Sequence, residues 1–550
     1  MKHLTYLMIL FFICTRVTAQ DEMKEAWSTK LDHQIEESGI SDSKGYCFGS
    51  NDKEFSFVSN KDGKILWTKR FKDINENLRK VDEQIPMWDA NVLFIFDRKV
   101  GKDKMACLDI TTGDFLWITD KYQDVTDESV IYIPEMEAFA VTTKTAVTMI
   151  KARTGEELWS TQKFRGVVGG YQYMSDGFLV MLNYKPTDLE ALFSGFKNQI
   201  VKINIKNGDV IWEQSYIGIV QKKVWTREPL VKLKVEEGKV FLFLNGIQVY
   251  DYNTGTKQWA AAFDADFGDV YSPLRSRDMQ KFGCYGAVAD PIINGQDVYV
   301  IDMQNKRKQY IKKYDLNSGK LLWTSPEIED ARVLPGLYLS GNTVILQIGG
   351  VVECQAYIYQ VQKLSDGRTI IYRKWRKWYP NIKPFGLQAF DATNGKKLWE
   401  SERFKKGITN AFTSGNSVIV CSGKALYSLD LVTGKDNYEI DLKADDINLA
   451  MKIIDYKDKV LVVGEKGVSS HNKSDGKLAA SGRWKSGEFM GLYNQSLLFQ
   501  RENGDVAAYD VETCKFKYYD ARKDAVSKLS DDGMYVYVWE KKTITKLSTQ

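Results

Sequence analysis

Between Arg368 and Lys383 the chain carries Arg368, Arg373, Lys374, Arg376, Lys377 and Lys383 interleaved with Tyr372, Trp375, Trp378 and Tyr379, and no acidic residue interrupts the run. Cationic groups set among indole and phenol rings suit anionic or amphipathic partners, through ion pairing and cation–π contact or by resting at a lipid headgroup layer. Ser365, Asp366 and Gly367 predict a hairpin turn, so Thr369 to Tyr379 is expected as a protruding strand with cations and aromatics on both faces. Arg368, Arg373, Lys374, Trp375, Arg376, Lys377, Trp378 and Tyr379 are therefore the candidate partner-contact residues. The competing expectation is that the rings pack onto the body of the protein while the bases form a solvated rim.

Catalytic and metal chemistry have few residues to work with. Of three histidines only His33 and His471 lie beyond the extreme N-terminus, far apart, so a histidine-built zinc site, a His-centred triad and a C-x-x-C-H haem attachment are not expected. Asp264, Asp266, Asp269 and Asp278 match no calcium-loop spacing and read as solvated turns. The formal net charge of +4, from 76 basic and 72 acidic residues interspersed along the chain, gives no field for nucleic acid. Cys47, Cys107, Cys284, Cys354, Cys421 and Cys514 are scattered singly, which is no disulfide framework, and most read as small buried apolar residues.

Residues 1–19 read as a secretory signal peptide: Lys2 and His3, an apolar stretch from Leu4 to Cys14, then Val17-Thr18-Ala19 before Gln20. The apolar stretch is about half what a membrane span requires. Phe12 and Ile13 are too bulky for a good lipobox before Cys14. An exported chain starting at Gln20 is expected, periplasmic, associated with an outer membrane or secreted, with no transmembrane span.

A repeat specifies the elements that hold these residues. Gly63, Gly113, Gly155, Gly208, Gly255, Gly319 and Gly395 are each followed four residues later by tryptophan, at Trp67, Trp117, Trp159, Trp212, Trp259, Trp323 and Trp399. Asp109, Asp251, Asp315 and Asp391 stand four residues before their glycines, where a carboxylate can accept bonds from turn amides. Apolar strands flank each turn, so every motif is a β-hairpin. The residue before the tryptophan is usually apolar too (Leu66, Leu116, Leu158, Ile211, Leu322, Leu398), and both faces of that strand are therefore expected to be covered. Sheets stacked around an axis, with indoles filling the gaps, supply that cover. The fold class is all-β, a single large β-propeller of four-stranded blades spanning residues 20–550.

Weaker copies continue at Asp430, Gly434 and Tyr438, at Asn472, Gly476 and Ala480, and at Asp510, Cys514 and Tyr518. Successive tryptophan positions from Trp67 are 38 to 76 residues apart, bracketing the usual blade period of about 40–50. The long steps mark insertions near 180–200, 264–292 and 360–386. Thr187 and Glu190 form a capping box that predicts a short helix over Pro186 to Phe193. Trp27 reads as part of an outer strand with no blade before it, and Met534 to Trp539 and Thr543 to Leu547 as strands with none after them, so the two ends share a closing blade. About eleven units result, with an eight-bladed ring carrying decoration, or two rings, as alternatives.

The pattern D-x-x-T-G-x-x-x-W is complete at Asp109, Thr112, Gly113 and Trp117 and at Asp251, Thr254, Gly255 and Trp259. It recurs with Ser318 or Asn394 in place of threonine at Asp315, Gly319 and Trp323 and at Asp391, Gly395 and Trp399. This resembles the PQQ-like repeat family, which comprises the propellers of quinoprotein alcohol dehydrogenases and non-catalytic relatives such as the outer-membrane assembly lipoprotein BamB. The resemblance covers about residues 24 to 548 and implies one of two functions. A quinone-dependent dehydrogenase would hold PQQ and calcium in a central pocket; yet the adjacent cysteine pair of those alcohol dehydrogenases has no counterpart here. The other implied function is a non-enzymatic, cofactor-free binding or scaffolding propeller at the bacterial cell envelope. It would contact envelope or outer-membrane proteins, peripheral membrane contact included, and assist outer-membrane protein assembly or secretion. A glycan-binding propeller using Trp375 and Trp378 is a third reading.

Overall fold

A computed structural model describes residues 21–550 except 79–80, 98–102, 124, 126–128, 144, 165–166, 185–197, 217–231, 244–245, 262–287, 306–307, 330, 353, 364–368, 402–403, 405, 444–446, 485–487 and 502. The described strands pair into eleven four-stranded antiparallel sheets and one two-stranded hairpin. Blades 1 to 10 follow in chain order over 37–70, 83–119, 130–161, 167–215, 232–261, 292–324, 336–401, 408–441, 450–483 and 488–519. Blade 11 joins the two ends of the chain: Val526–Leu529, Tyr535–Glu540 and Thr543–Ser548 supply three strands, and Lys24–Lys30 pairs as the fourth, with Trp27 opposite Lys546. The repeat count of eleven is thus the blade count, and the eight-bladed alternative does not hold.

No single core exists. The buried apolar side chains fall into eleven clusters, each shared by two neighbouring blades. Strand periodicity causes this division, because successive side chains point to opposite faces of a blade. Val92, Phe94 and Phe96 pack toward blade 3, whereas Leu93 and Ile95 pack toward blade 1. The cluster of Leu31, Cys47 and Val58 with Tyr537, Trp539 and Ile544 joins blade 11 to blade 1, which closes one ring. First strands are innermost and clasp one another through side-chain amides. Gln172 Nε2 donates to Val235 O at 3.0 Å while Val235 N donates to Gln172 Oε1 at 2.7 Å, and Asn410 treats Ile453 in the same way.

The joints share one hydrogen bond. The indole N–H of Trp27, Trp67, Trp117, Trp159, Trp212, Trp259, Trp323 and Trp399 donates to the carbonyl of Asn60, Ile110, Ala152, Ile205, Tyr252, Leu316, Ala392 and Leu431 respectively, at 2.8–3.0 Å. Each acceptor lies three residues before the turn glycine of the next blade, and the ring lies flat on that glycine. At Gly255, where φ is +71°, an added Cβ would sit 2.5 Å from Trp212 Cδ2, so the turn conformation and the space both demand glycine. In three joints a lysine paired across the strand from the tryptophan donates to the same carbonyl: Lys202 to Tyr252 at 3.5 Å, Lys313 to Ala392 at 3.3 Å and Lys546 to Asn60 at 3.0 Å. The device thins late in the chain. Tyr438 replaces the indole over Gly476, and at the joint of blades 9 and 10 Trp484 fills the wedge instead, stacked 5.2 Å from Tyr518.

One expectation fails on the outermost strands. Leu66, Ile211, Leu322 and Leu398 are 47%, 48%, 47% and 40% exposed, so the face opposite the tryptophan is not covered there. Blades radiate like spokes, and the gap between them widens outward beyond the reach of an aliphatic side chain; an indole still spans it on the other face.

The turn carboxylates behave as expected. Asp391 Oδ1 accepts from Thr393 N at 2.7 Å, and Asp315 and Asp251 cap their own turns similarly. Hydroxyl donation from Ser318, Thr393 and Thr433 holds Asp315, Asp391 and Asp430 below their ordinary pKa of 3.8. On the first strand of blade 1, burial, then the charges of Glu83 and Glu36, push Glu37 up to about 7 from 4.5.

Two outcomes follow for stability. Gly238 lies in the same blade as Gly255, with φ +72° and nothing within 4 Å of an added Cβ. Alanine at either position carries the same left-handed backbone cost of about 1 kcal/mol. Gly255→Ala is expected to lose about 1–3 kcal/mol more than Gly238→Ala, read from urea unfolding; equal losses would mean that the ring-on-glycine contact contributes nothing. For pH, a depressed carboxyl contributes stability above its unfolded pKa of 3.8 that is lost as pH falls through the folded value. Glu37 works oppositely: the fold resists its ionisation, so stability declines as pH rises from 4.5 to about 7. Unfolding temperature should drop below about pH 4. Glu37→Gln should raise it at about pH 8 but not at 4.5.

Candidate partner-binding site

In a four-stranded meander the turns alternate between two rims of the ring. The turns between third and fourth strands, which carry the D-x-x-T-G residues, share one rim with Met23, whose amide donates to Tyr518 O at 2.8 Å. Every long excursion starts from the other rim. The two-stranded hairpin connects the second and third strands of blade 7, Thr343–Val351 and Asn381–Asp391. Strand ends flanking residues 185–197, 217–231 and 262–287 also lie there. Those segments, and with them the expected helix over Pro186 to Phe193 and the acidic residues from Asp264 to Asp278, are outside the described residues, as are Ser365 to Arg368.

The hairpin pairs Cys354–Lys363 with Thr369–Trp378 over ten unbroken positions. Arg373, Trp375 and Lys377 lie opposite Tyr359, Tyr357 and Gln355; Lys374, Arg376 and Trp378 lie opposite Ile358, Ala356 and Cys354. Alternation assigns each trio to one face, so each face carries two cationic positions and one tryptophan position. The six residues from Arg373 to Trp378 thus share one strand, and Tyr379 follows it, 59% exposed.

At the foot of this ribbon a cleft of about 490 Å³ opens, lined by Arg332, Lys383, Lys406 and Asn381 together with the apolar Ile382 and Phe385. Three chain segments meet there. Gly349 N donates to Val333 O at 2.9 Å, which fixes the crossing from blade 6 beside Arg332. Gly349 has φ +64°, and an added Cβ would lie 1.7 Å from Pro384 O. Only glycine lets this bulge approach the backbone that presents Lys383. Ser422 Oγ donates to Lys406 O at 2.7 Å, fixing the crossing to blade 8. Lys383 ends the acid-free run visible in the sequence. Arg332 and Lys406 were missed, because they come from neighbouring crossings that only the ring brings together.

Other potentially reactive groups are committed elsewhere. His33 Nε2 bonds Ser56 Oγ at 2.8 Å and His471 Nε2 bonds Ser469 Oγ at 2.9 Å, both buried. Burial pushes the Cys47 and Cys421 thiols up to about 12 and Cys107 higher still, which leaves them protonated and inert. Among the described residues no group of three or more His, Cys, Asp or Glu side chains is placed to hold a metal ion. No helix among the described residues is long and apolar enough to cross a membrane.

Eleven four-stranded blades, eight of their joints made by a tryptophan on the turn glycine of the next blade, define a PQQ-repeat β-propeller. The family described as "Outer membrane protein assembly factor BamB" matches residues 51–325, and the chain belongs to this BamB-like PQQ-repeat propeller family. The matched region ends just after the last strand of blade 6, short of the hairpin. No curated protein matches the sequence. Among solved structures, the chain is similar to the computationally designed Ika8 protein, 14% identical over 72% of this chain and 100% of that one, with a TM-score of 0.36. It is also similar to BamB from Moraxella catarrhalis, 13% identical over 82% and 98%, TM-score 0.29, and to the eukaryotic initiation factor, 10% identical over 76% and 94%, TM-score 0.39.

The bulge at Gly349 generates a direct test of how the cleft is built. Gly415, φ +56°, has nothing within 4 Å of an added Cβ. Gly349→Ala is expected to speed amide exchange in the Asn381–Asp391 strand by at least about tenfold, whereas Gly415→Ala leaves that strand's exchange unchanged.

Proposed function

We propose that this propeller is a non-enzymatic binding and scaffolding module at the bacterial cell envelope that assists outer-membrane protein assembly or secretion. It holds partner proteins on the rim that carries the hairpin. The observation that carries the reading is the hairpin itself, a ribbon outside every blade whose second strand places Arg373, Lys374, Trp375, Arg376, Lys377 and Trp378 in succession. A two-stranded ribbon is marginal in water on its own, and a partner laid against it would stabilise it. Tryptophan and arginine are the side chains that most often dominate interface energetics. The exported location rests on the signal-like residues 1–19, and the envelope role on the family description.

The test is affinity recovery from envelope fractions with wild-type protein and with a variant carrying Arg373→Ser, Trp375→Ser, Arg376→Ser and Trp378→Ser. Co-purifying envelope proteins should fall by at least about tenfold while the unfolding temperature of the ring is unchanged. Undiminished recovery of the same proteins would refute the assignment of the hairpin.

A further inference from the structure

We propose that the cleft at the foot of the hairpin is an anion site that takes a phosphate group. Its three cations come from three separated segments: Arg332 from the crossing into blade 7, Lys383 from the third strand of that blade and Lys406 from the crossing out of it. Like charges gathered in one concavity repel unless a counter-charge joins them, and among the described residues none of the three forms a salt bridge. Some cations elsewhere on the ring do find a carboxylate, as in Lys69 with Asp114 at 3.0 Å, Arg153 with Asp109 at 2.7 Å and Arg501 with Asp505 at 3.4 Å. No carboxylate is among the described lining residues of the cleft.

A fourth donor points to the same chemistry. The Asn381 side-chain amide has no hydrogen bond among the described residues, and its Nδ2 lies 2.0 Å from where a Cβ on Gly407 would be. That glycine lets the amide sit tight against the Lys406–Gly407 backbone at the edge of the cleft. A guanidinium fork, two ammonium point charges and a neutral amide donor suit a tetrahedral oxyanion, which offers acceptor oxygens in several directions at once. The volume of about 490 Å³ and the apolar Ile382 and Phe385 in the lining suit an attached organic group, so a phosphate ester fits better than the bare ion. The ester can be a lipid headgroup or a soluble phosphorylated molecule. This site is independent of the protein-contact role of the hairpin strand.

The experiment uses the full chain as wild type, as the triple variant Arg332→Gln, Lys383→Gln and Lys406→Gln, as the single variant Lys406→Gln, and as the serine hairpin variant. Inorganic phosphate and a soluble phosphate monoester are titrated by calorimetry, and flotation is measured with phosphatidylglycerol and with phosphatidylcholine vesicles. Wild type and hairpin variant should bind alike, and the triple variant should lose at least about tenfold in affinity with an unfolding temperature no lower than that of wild type. The single variant should lose less. Cleft-dependent flotation with phosphatidylglycerol, without cleft-dependent monoester binding, identifies the lipid source; the converse identifies the soluble one. Binding in neither assay, or binding that the triple and single variants leave unchanged, overturns the proposal.

Discussion

An indole resting on the turn glycine of the next blade is the contact on which this ring depends. It fixes three things together: the left-handed glycine, the carbonyl that accepts the indole N–H, and the aspartate-capped turn that presents both. Because the same contact recurs at eight of the eleven joints, the interior is partitioned into wedges and needs no central core. Closure follows from the same rule, since Trp27 on the N-terminal strand docks on Gly63 of blade 1 from within a blade completed by C-terminal strands. Buried Lys202 and half-buried Lys546 reinforce it: desolvation lowers the pKa of each, yet each donates to the carbonyl its neighbouring indole uses.

That constraint also sorts the surface. Tryptophan, glycine and aspartate all work at one rim, where an insertion would part the joint. Connections on the opposite rim carry no part of the contact, so they can lengthen without disturbing the stack. The blade 7 hairpin, the cleft beneath it and the flanks of the other long connections all share that rim. A ring built this way keeps its joint turns on one rim and its long connections on the other.

The ring was readable in the sequence because its contact recurs with the same residue types at fixed spacing. Gly-x-x-x-Trp marks the joints, and the drifted copies at Tyr438 and Tyr518 keep register even where the indole is lost. The burial of Leu66, Ile211, Leu322 and Leu398 was misread, since alternation along a strand says which face a side chain takes but not how far apart the blades stand at that radius. The site was readable only in part. The basic and aromatic residues from Arg373 to Tyr379 stand out locally, whereas Arg332 and Lys406 lie about 70 residues apart and meet through the ring geometry alone. Trp484 was likewise missed, because it fills its wedge from four residues beyond the expected position at Ala480.

The central claim is that partners meet the rim bearing the hairpin and not the rim of aspartate turns. Photo-crosslinking in intact cells addresses it directly, with a photoreactive residue placed at exposed Tyr379 on one rim or at exposed Asn253 in a turn on the other. Envelope-protein adducts from position 379 and none from position 253 are predicted. Adducts from 253, with none from 379, would contradict the account.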